Sequence, residues 1–313
     1  LLACRPSLHP KGERLPVVSD FIIDPNQIGD KTTAASIKNK TSAPIVGLEP
    51  TREKLMSIRN LTVQFPATRN LFGRAASLIT AVDNISFDVM SGETLGLVGE
   101  SGCGKTTLGR ALLRLIEPSS GSIHFKDRSL TTMKASELKM LRKDIQIIFQ
   151  DPYSSLNPRL TIGDALTEPL KVHGMLRTKK ERRERAAELL EKVNMNGDHL
   201  ARYPHEFSGG QRQRLVIARA LTLEPSFLVC DESVSALDVS VQAQVLNLLA
   251  DLKTEYGFTI IFISHDLSVV HYISDRIMVM NHGRIEEIGD AGQVFKNPTS
   301  EYTRKLLESI PTL

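Results

Sequence analysis

The sequence has few cysteines, little net charge and no long apolar run. Its three cysteines, at positions 4, 103 and 230, are too few and too scattered for a disulfide framework or a cysteine-rich metal site. No apolar run approaches the roughly 20 residues that a membrane-spanning helix needs. Lys plus Arg number 39 and Asp plus Glu 36, and the net charge of +3 is too small for a dedicated nucleic-acid-binding protein. The composition predicts a soluble globular protein of a reducing compartment.

The N-terminal part of the chain differs from the rest. Between positions 6 and 50 the residues Pro, Ser, Thr, Asn and Lys are frequent and periodicity is lacking, which is typical of a polar linker. The chain lacks an initiator Met, begins L-L-A-C-R-P-S-L and ends L-L-E-S-I-P-T-L. Chance could produce this repeat, but we favour residues 1–8 as the tail of a preceding, similar unit. Residues 1–53 are then that tail plus a linker, and residues 54–313 are the second half of a tandem protein.

Short apolar runs alternate with helical patterns after position 54. This alternation predicts an α/β domain with a mainly parallel sheet buried between helices. The predicted strands are Thr94–Val98, Ile145–Phe149, Phe227–Cys230 and Thr259–Ile263, and the clearest helices are Thr106–Ile116 and Val241–Glu255. Residues 160–214 have helical patterns and no buried strand, which predicts a helical sub-domain at about 155–215. Asn281-His282-Gly283 separates two short apolar segments, 276–280 and 284–288, and indicates a β-hairpin.

A phosphate-binding loop is the strongest chemical signal. The run Gly99-Glu100-Ser101-Gly102-Cys103-Gly104-Lys105-Thr106 fits G-x-x-x-x-G-K-[ST] and lies between a predicted strand and a predicted helix. Backbone N–H groups of such a loop surround phosphate oxygens at a helix N-terminus, whose dipole favours anions. Lys105 is expected to reach the β- and γ-phosphates and Thr106 to bind Mg²⁺. Cys103 occupies a variable position of the motif, so we expect no redox role for it.

An acidic pair and a second glycine motif accompany this loop. Asp231 ends an apolar strand and is placed to hold the Mg²⁺ shell, and Glu232 is a candidate base for an attacking water. Ser208-Gly209-Gly210-Gln211 precedes an apolar helix and offers a second phosphate cradle. One γ-phosphate needs only one cradle, so the second would serve a nucleotide held by another subunit.

These motifs together resemble the ATP-binding cassette (ABC) family over about residues 54–313. Six motifs stand in the family's order: Walker A with Lys105, the Q-loop Gln150, the signature Ser208–Gln211, Walker B with Asp231 and Glu232, the D-loop Ser235–Asp238, and the switch His265. The resemblance implies a P-loop NTPase (RecA-like) fold with a mainly parallel sheet, a small antiparallel β part and an inserted α-helical sub-domain. It also implies a head-to-tail dimer of two cassettes that encloses two ATP molecules.

The resemblance assigns expected roles to the motif residues. Catalysis would use Glu232, His265, Lys105 and Gln150. ATP would contact the loop from Gly99 to Thr107. It would also contact Ser208, Gly209, Gly210, Gln211 and Asp238. Mg²⁺ would be held by Thr106, Gln150 and Asp231. Phe65 matches the position of the aromatic that stacks on adenine, and Phe72, in the insertion that follows, stays an alternative.

Three further phrases narrow the resemblance to the oligopeptide, dipeptide and nickel importer branch. They are the run from Gln150 to Arg159, the run from Tyr203 to Phe207, and the run from Asn297 to Thr303. This branch implies an ATPase that powers uptake of peptides, or of nickel or glutathione-type cargo, at the cytoplasmic face of a prokaryotic plasma membrane. The implied partners are a second cassette (a tandem half or a homodimer), transmembrane permease subunits and, indirectly, an extracytoplasmic substrate-binding protein.

Other ABC proteins remain alternatives. A soluble ABC ATPase that acts on nucleic acid or ribosomes would carry long heptad insertions, zinc-binding cysteine pairs or basic arms, and this sequence has none. We therefore expect no nucleic-acid partner. A regulatory cassette without hydrolysis would be expected to lack Glu232 or His265, and an exporter would normally be fused to membrane helices.

Overall fold

The computed structural model describes residues 14–15, 53–69 and 75–309 of the chain. The strands of this part are β1 (Lys54–Arg69), β2 (Ala75–Met90), β3 (Thr94–Val98), β4 (Ser120–Phe125), β5 (Arg128–Ser129), β6 (Ile145–Ile148), β7 (Phe227–Asp231), β8 (Thr259–Ile263), β9 (Arg276–Asn281) and β10 (Arg284–Asp290). The helices are α1 (Lys105–Leu112), α2 (Ala135–Leu141), α3 (Pro152–Ser155), α4 (Ile162–Val172), α5 (Lys179–Lys192), α6 (Gly209–Leu221), α7 (Val239–Tyr256), α8 (Leu267–Ile273), α9 (Ala291–Lys296) and α10 (Glu301–Glu308). Short 3₁₀ helices span Gly197–Ala201 and Pro204–Glu206.

A six-stranded sheet with the order β10-β9-β3-β8-β7-β6 forms the centre of the fold. The pairs β3–β8, β3–β9, β7–β8 and β6–β7 are parallel, and only the β9–β10 pair within this sheet is antiparallel. Every residue of β3, β7 and β8 is buried, which is why these segments are continuous apolar runs in the sequence. The predicted parallel sheet is confirmed, with strand ends within one residue of the predicted ones.

The two faces of this sheet contact two separate hydrophobic clusters. Leu228 and Phe262 belong to the cluster that also contains the residues of α6 and α7. Val229 and Ile261, their neighbours along the same strands, belong to the cluster with α1 and the antiparallel sheet. Because successive strand residues point to opposite faces, apolar residues at every position are needed to bury both faces.

A smaller antiparallel sheet, with the order β2-β1-β4-β5, packs against this second cluster. The β9–β10 hairpin turns through His282 and Gly283, whose φ angles are 44° and 79°. Two successive positive φ angles match the right-handed twist of the two strands, so the turn predicted from the Asn-His-Gly sequence is confirmed.

The two clearest predicted helices form with shifted ends. α1 stops at Leu112 instead of Ile116 because Arg114 adopts a left-handed conformation, with φ 51°. α7 is longer than predicted and ends at Tyr256. The next residue, Gly257, has a φ of 69°, the left-handed conformation that usually terminates a helix. Among the described residues, no helix has the length and apolarity to cross a bilayer.

The stretch between β6 and β7 is helical, from α3 to α6, as predicted for an inserted helical region. α5 carries a long charge run but buries Ala186, Leu189 and Leu190, so it is an amphipathic helix with one face in the core. Thr178 and Glu181 form a capping box at its start. The predicted boundaries of the domain and of its helical sub-domain stay predictions.

The predicted tail and linker, residues 1–53, lie outside the described residues except at positions 14, 15 and 53, and so does Phe72. Leu15 is fully buried against the domain. At this point the chain is part of the core and does not behave as a solvated linker.

The start of α10 is fixed by one buried carboxylate on β10. Glu287 accepts hydrogen bonds from Thr299 N (2.8 Å), Thr299 Oγ1 (2.9 Å) and Ser300 N (3.1 Å). Burial alone would raise the pKa of Glu287, but the hydrogen bonds from Thr299, Ser300 and Thr303 hold it below its ordinary value. The ionised carboxylate therefore stabilises the docking of the C-terminal helix.

We expect Glu287→Gln to lower the free energy of unfolding by about 1–3 kcal/mol at neutral pH, because charged hydrogen bonds are replaced by weaker ones. Since the pKa of Glu287 is lower in the folded state, this contribution is complete above the ordinary carboxyl pKa of 4.5 and is lost as pH falls through the folded value. Urea unfolding of both proteins between pH 7 and pH 3 measures it. A difference that stayed constant down to pH 3 would contradict this role.

Candidate functional site

The phosphate-binding loop lies between β3 and α1, at the carboxyl edge of the central sheet. Gly99 has φ 154°, and a Cβ there would lie 2.1 Å from the carbonyl oxygen of Met280. The Lys105 ammonium group is buried and donates to the carbonyl oxygens of Gly99 (2.8 Å) and Glu100 (2.7 Å). The ammonium group has three N–H donors. Two of them stabilise the loop by binding these carbonyls, and the third can bind a ligand inside the loop.

Neighbouring segments hold the loop from outside. The turn residue Gly283 donates its N–H to the carbonyl oxygen of Cys103 (2.9 Å), and its own carbonyl accepts from Asp83 N (2.8 Å). At Gly104, with φ 107°, a Cβ would lie 2.2 Å from the carbonyl oxygen of Ala81. The middle of β2, the β9–β10 turn and the loop therefore contact one another through backbone atoms, which leaves no room for a side chain at Gly104.

A hydroxyl and a carboxylate meet beside the loop. Thr106 Oγ1 donates to Asp231 Oδ1 at 2.8 Å, although the two residues are 125 positions apart. Arg110, one turn further along α1, lies 3.8 Å from Asp231 Oδ2. Burial raises the pKa of Asp231, and the Thr106 hydrogen bond and the Arg110 charge act in the opposite direction. Asp231 is thus a desolvated carboxylate that gains stability from added positive charge.

These two oxygen atoms fit a magnesium ion. Mg²⁺ prefers oxygen ligands, and the hydroxyl oxygen of Thr106 and a carboxylate oxygen of Asp231 lie 2.8 Å apart beside the loop, so both could hold the same ion. The described residues contain no group of three or more His, Cys, Asp or Glu side chains that could hold a metal. Nucleotide-bound Mg²⁺ takes one or two carboxylates and fills its remaining positions with phosphate and water, so the small donor set agrees with this ion.

Glu232 is the centre of a second polar group at the same edge. Its Oε2 accepts from Gln150 Nε2 at 2.9 Å and lies 3.7 Å from His265 Nδ1. Glu232 has φ 48°, a conformation that costs a non-glycine residue free energy. The carboxylate is therefore oriented by a left-handed turn after β7 and does not continue the strand.

The structure places six of the predicted site residues, together with the rest of loop 99–107, at one edge of the central sheet: Lys105, Thr106, Gln150, Asp231, Glu232 and His265. Among the described residues, no hydrogen bond or ion pair joins these six residues to the signature residues 208–211 or to Asp238. Ser208 instead caps α6, where its Oγ accepts from Gln211 N (3.3 Å) and its N–H donates to Gln211 Oε1 (3.0 Å). Asp238 caps α7, and hydrogen bonds from Ser240 and Val241 lower its pKa.

The signature helix is fixed to the helix that starts at Asp238. A Cβ at Gly210 would lie 2.4 Å from Val241 Cγ1, so α6 and α7 approach closely there, whereas a Cβ at Gly209 would meet no atom within 4 Å. Gly209 thus presents its backbone on an open side of the domain.

Phe65 lies on β1 and is 37% exposed, opposite Ile79 on β2. Leu78 and Ile79 are also exposed, at 57% and 59%. An aromatic ring among exposed apolar side chains is available for stacking, but no described contact joins Phe65 to the loop residues.

Two residues that touch the site were missed by the sequence analysis. Tyr302, on α10, accepts a hydrogen bond from the loop residue Glu100 through its hydroxyl (3.3 Å). Arg110 faces Asp231 and lies over the ring of Phe149, with 5.9 Å to the ring centroid. The position of Arg110 four residues after Thr106 could have indicated a shared helix face, but no sequence signal connects Tyr302 with Glu100.

Known proteins share this sequence pattern. The profile of a family described as ABC transporter matches residues 82–235. The glutathione import ATP-binding protein GsiA of Escherichia coli (strain K12) is 53% identical over 259 residues, which cover 83% of this chain and 41% of that protein. GsiA of Pectobacterium atrosepticum is 49% identical over 282 residues, covering 90% of this chain and 45% of that protein. The chain spans less than half the length of these relatives.

Solved structures share the fold as well. The ATP-binding cassette MJ0796, in a dimeric post-hydrolysis state bound to ADP and Pi, has 28% identity and a TM-score of 0.68, covering 76% of this chain and 99% of that chain. A second dimeric structure of MJ0796, described as a bacterial ABC transporter cassette, has 27% identity and a TM-score of 0.67. These likenesses and the strand order confirm the predicted fold class.

We expect Gly104→Ala to destabilise the loop, because the new Cβ would lie 2.2 Å from the carbonyl oxygen of Ala81 and φ is 107°. A loss of about 2–4 kcal/mol in the free energy of unfolding is expected from the clash and the strained backbone. Thermal unfolding measures it. Gly197→Ala is the matched control, since a Cβ there meets only Ala187 Cβ, at 3.8 Å. Equal melting temperatures for the two variants would contradict the close approach.

Proposed function

The chain contains an ATP-binding cassette of the ABC transporter family, and from this premise we propose that it hydrolyses ATP to power a bacterial importer of small peptides. The observation that carries the proposal is the meeting of Lys105, Thr106, Asp231 and Glu232 at one sheet edge. The relatives are named for glutathione import, which makes glutathione or a similar short peptide the first cargo to test.

The loop from Gly99 to Thr107 binds the phosphates of ATP. Its backbone N–H groups and the N-terminus of α1 supply partial positive charge, and Lys105 adds a full one. Lys105 donates to two backbone carbonyls and directs its remaining N–H to a phosphate oxygen. Phe65, on the exposed face of β1, is the residue we assign to adenine.

Thr106 and Asp231 hold Mg²⁺, and Gln150 adds its amide oxygen, because its amide nitrogen is used by Glu232. Bound Mg²⁺ would neutralise negative charge on the phosphates of ATP. Asp231 is desolvated by burial, so a cation beside it lowers the free energy of its ionised form.

Glu232 orients or deprotonates the attacking water. Gln150 donates to Glu232 Oε2, and His265 Nδ1 lies 3.7 Å from the same oxygen. These two contacts orient the carboxylate. His265 is 57% exposed, and its ring is therefore accessible for a hydrogen bond to the γ-phosphate. The left-handed φ of Glu232 is the strain that this placement requires.

The signature residues and Asp238 serve a nucleotide held by a second cassette. This assignment rests on their separation from the Lys105 site and on the open side of Gly209. The solved cassettes of similar fold are described as dimers. The relatives are more than twice as long as the matched part, which supports a tandem arrangement in which the second cassette belongs to the same polypeptide.

A groove beside Gln150 receives the transmembrane subunits. It has a volume of about 650 Å³ and lies between β6 and the helices α3, α4 and α6. Phe149 and Val172 are exposed there, at 36% and 59%. Since Gln150 follows β6 directly, a helix seated in this groove would sense the state of the Glu232 site. The cassette would then act at the cytoplasmic face of the membrane, together with an extracytoplasmic binding protein.

We expect Glu232→Gln to lower ATP turnover by about 10²–10⁴-fold, because the positioned base is lost. ATP binding is expected to stay within a few-fold of the native value, since the loop and Asp231 are unchanged. Phosphate release and equilibrium binding of a fluorescent ATP analogue by the purified protein measure the two quantities. Near-native turnover in the variant would contradict the assignment of Glu232.

Affinity purification from membranes tests the importer. We expect the native chain to co-purify with two polytopic membrane proteins and Val172→Glu to lose them, because the new charge lies in the groove. Leu115→Glu is the matched control, since Leu115 is an exposed apolar residue, at 47%, that does not line the groove. Salt-sensitive recovery of DNA or ribosomes instead of membrane proteins would favour a soluble ABC ATPase.

A further inference from the structure

A buried asparagine on α7 binds the backbone of a residue more than 230 positions earlier. Asn247 Oδ1 accepts from Leu15 N at 3.1 Å, and Asn247 Nδ2 donates to Leu15 O at 2.7 Å. One side-chain amide thus satisfies both backbone groups of Leu15, in the way that a neighbouring strand would. Asn247 itself is only 4% exposed.

The apolar side chain of this segment is as tightly held as its backbone. Leu15 is fully buried and belongs to the same hydrophobic cluster as Leu246, Leu248 and Leu249, the neighbours of Asn247 on α7. Asn247 is buried beside this cluster, and a buried side-chain amide costs free energy unless it is hydrogen-bonded.

Tyr272, on α8, completes the arrangement. Its hydroxyl donates to Asn247 Oδ1 at 3.1 Å, which fixes the amide so that oxygen faces Leu15 N and nitrogen faces Leu15 O. Burial raises the pKa of Tyr272, so the hydroxyl stays protonated and remains a donor at neutral pH.

Without the segment at Leu15, the Asn247 amide would lose two of its three hydrogen-bond partners. Two cavities flank the segment, and Arg14 and Asp251 line both of them. Arg14 itself is exposed.

We infer that Asn247 and Tyr272 form a docking site for an extended chain segment, and that residues 14 and 15 of the same chain occupy it. The site fastens the chain that precedes the cassette to α7. Asp238 caps that helix, and α6, which starts after Ser208, packs on it through Gly210. The segment before the cassette is thereby attached to the pair of helices that carry the signature and D-loop residues.

Limited trypsin digestion of the full chain tests this site, because trypsin cleaves after Arg14, at the bond whose nitrogen Asn247 holds. Proteolysis of a docked segment requires that it first detach, and its rate follows the population of the detached form. Arg177, exposed in the connection between α4 and α5, provides an internal reference. In the native protein we expect cleavage after Arg14 to be at least tenfold slower than cleavage after Arg177.

Asn247→Leu is the decisive variant, since leucine has a similar size and keeps the apolar packing while removing both hydrogen bonds to Leu15. We expect it to speed cleavage after Arg14 by about 10- to 100-fold and to leave cleavage after Arg177 unchanged. Leu15→Ala should also speed cleavage after Arg14. Because Leu15 and Asn247 contact each other, the double variant should speed it by less than the product of the two single effects. Thr254→Ala, at an exposed position of the same helix, is the control.

Three results would overturn the inference. The first is cleavage after Arg14 as fast as after Arg177 in the native protein. The second is an Asn247→Leu variant, folded by its melting temperature, whose cleavage after Arg14 is unchanged. The third is protection that disappears on dilution, because it would show that a second copy of the chain fills the site.

Discussion

Parallel pairing of β3, β8 and β7 is the constraint on which the rest of the structure depends. The carboxyl ends of adjacent parallel strands lie at the same edge, and here they lead into the phosphate-binding loop, His265 and the Asp231–Glu232 pair. Residues separated by up to 160 positions are placed side by side by three strands of five residues each. The clusters on both faces hold these strands, so hydrophobic burial fixes the position of the polar groups.

Around this edge, polar groups are held by contacts that leave little freedom. Gly104 and Gly283 sit against the backbone of residues 81–83, and only the absence of a Cβ permits that approach. Glu232 adopts a left-handed conformation, and its N–H is retained by the carbonyl of Ile263 at 3.0 Å. Free energy from the core thus stabilises a strained turn whose side chain lies next to Gln150 and His265.

Much of the fold could be predicted because each buried strand is a continuous apolar run between glycine-rich or polar turns. The loop from Gly99 to Thr106 and the acidic pair could be found for a different reason, because their chemistry requires fixed residue types at short spacing. Helix ends were less accessible: α1 stops early because Arg114 takes a left-handed conformation that no local pattern announces. Asn247 and Leu15 were not found at all, because an isolated leucine in a polar stretch and an asparagine in a helix have no visible relation.

The sequence by itself determined the buried strands of the central sheet, its two clearest helices and the motif residues proposed for phosphate and metal chemistry. Periodicity and spacing over ten or so residues are local properties, and local physics suffices to interpret them. Only the tertiary structure decided that Thr106 meets Asp231, that Gln150 and His265 share Glu232, that Ser208 and Asp238 stay apart from them, and that Leu15 enters the core. These contacts depend on the path of the backbone between distant segments, and that path is set by the burial of the whole domain at once.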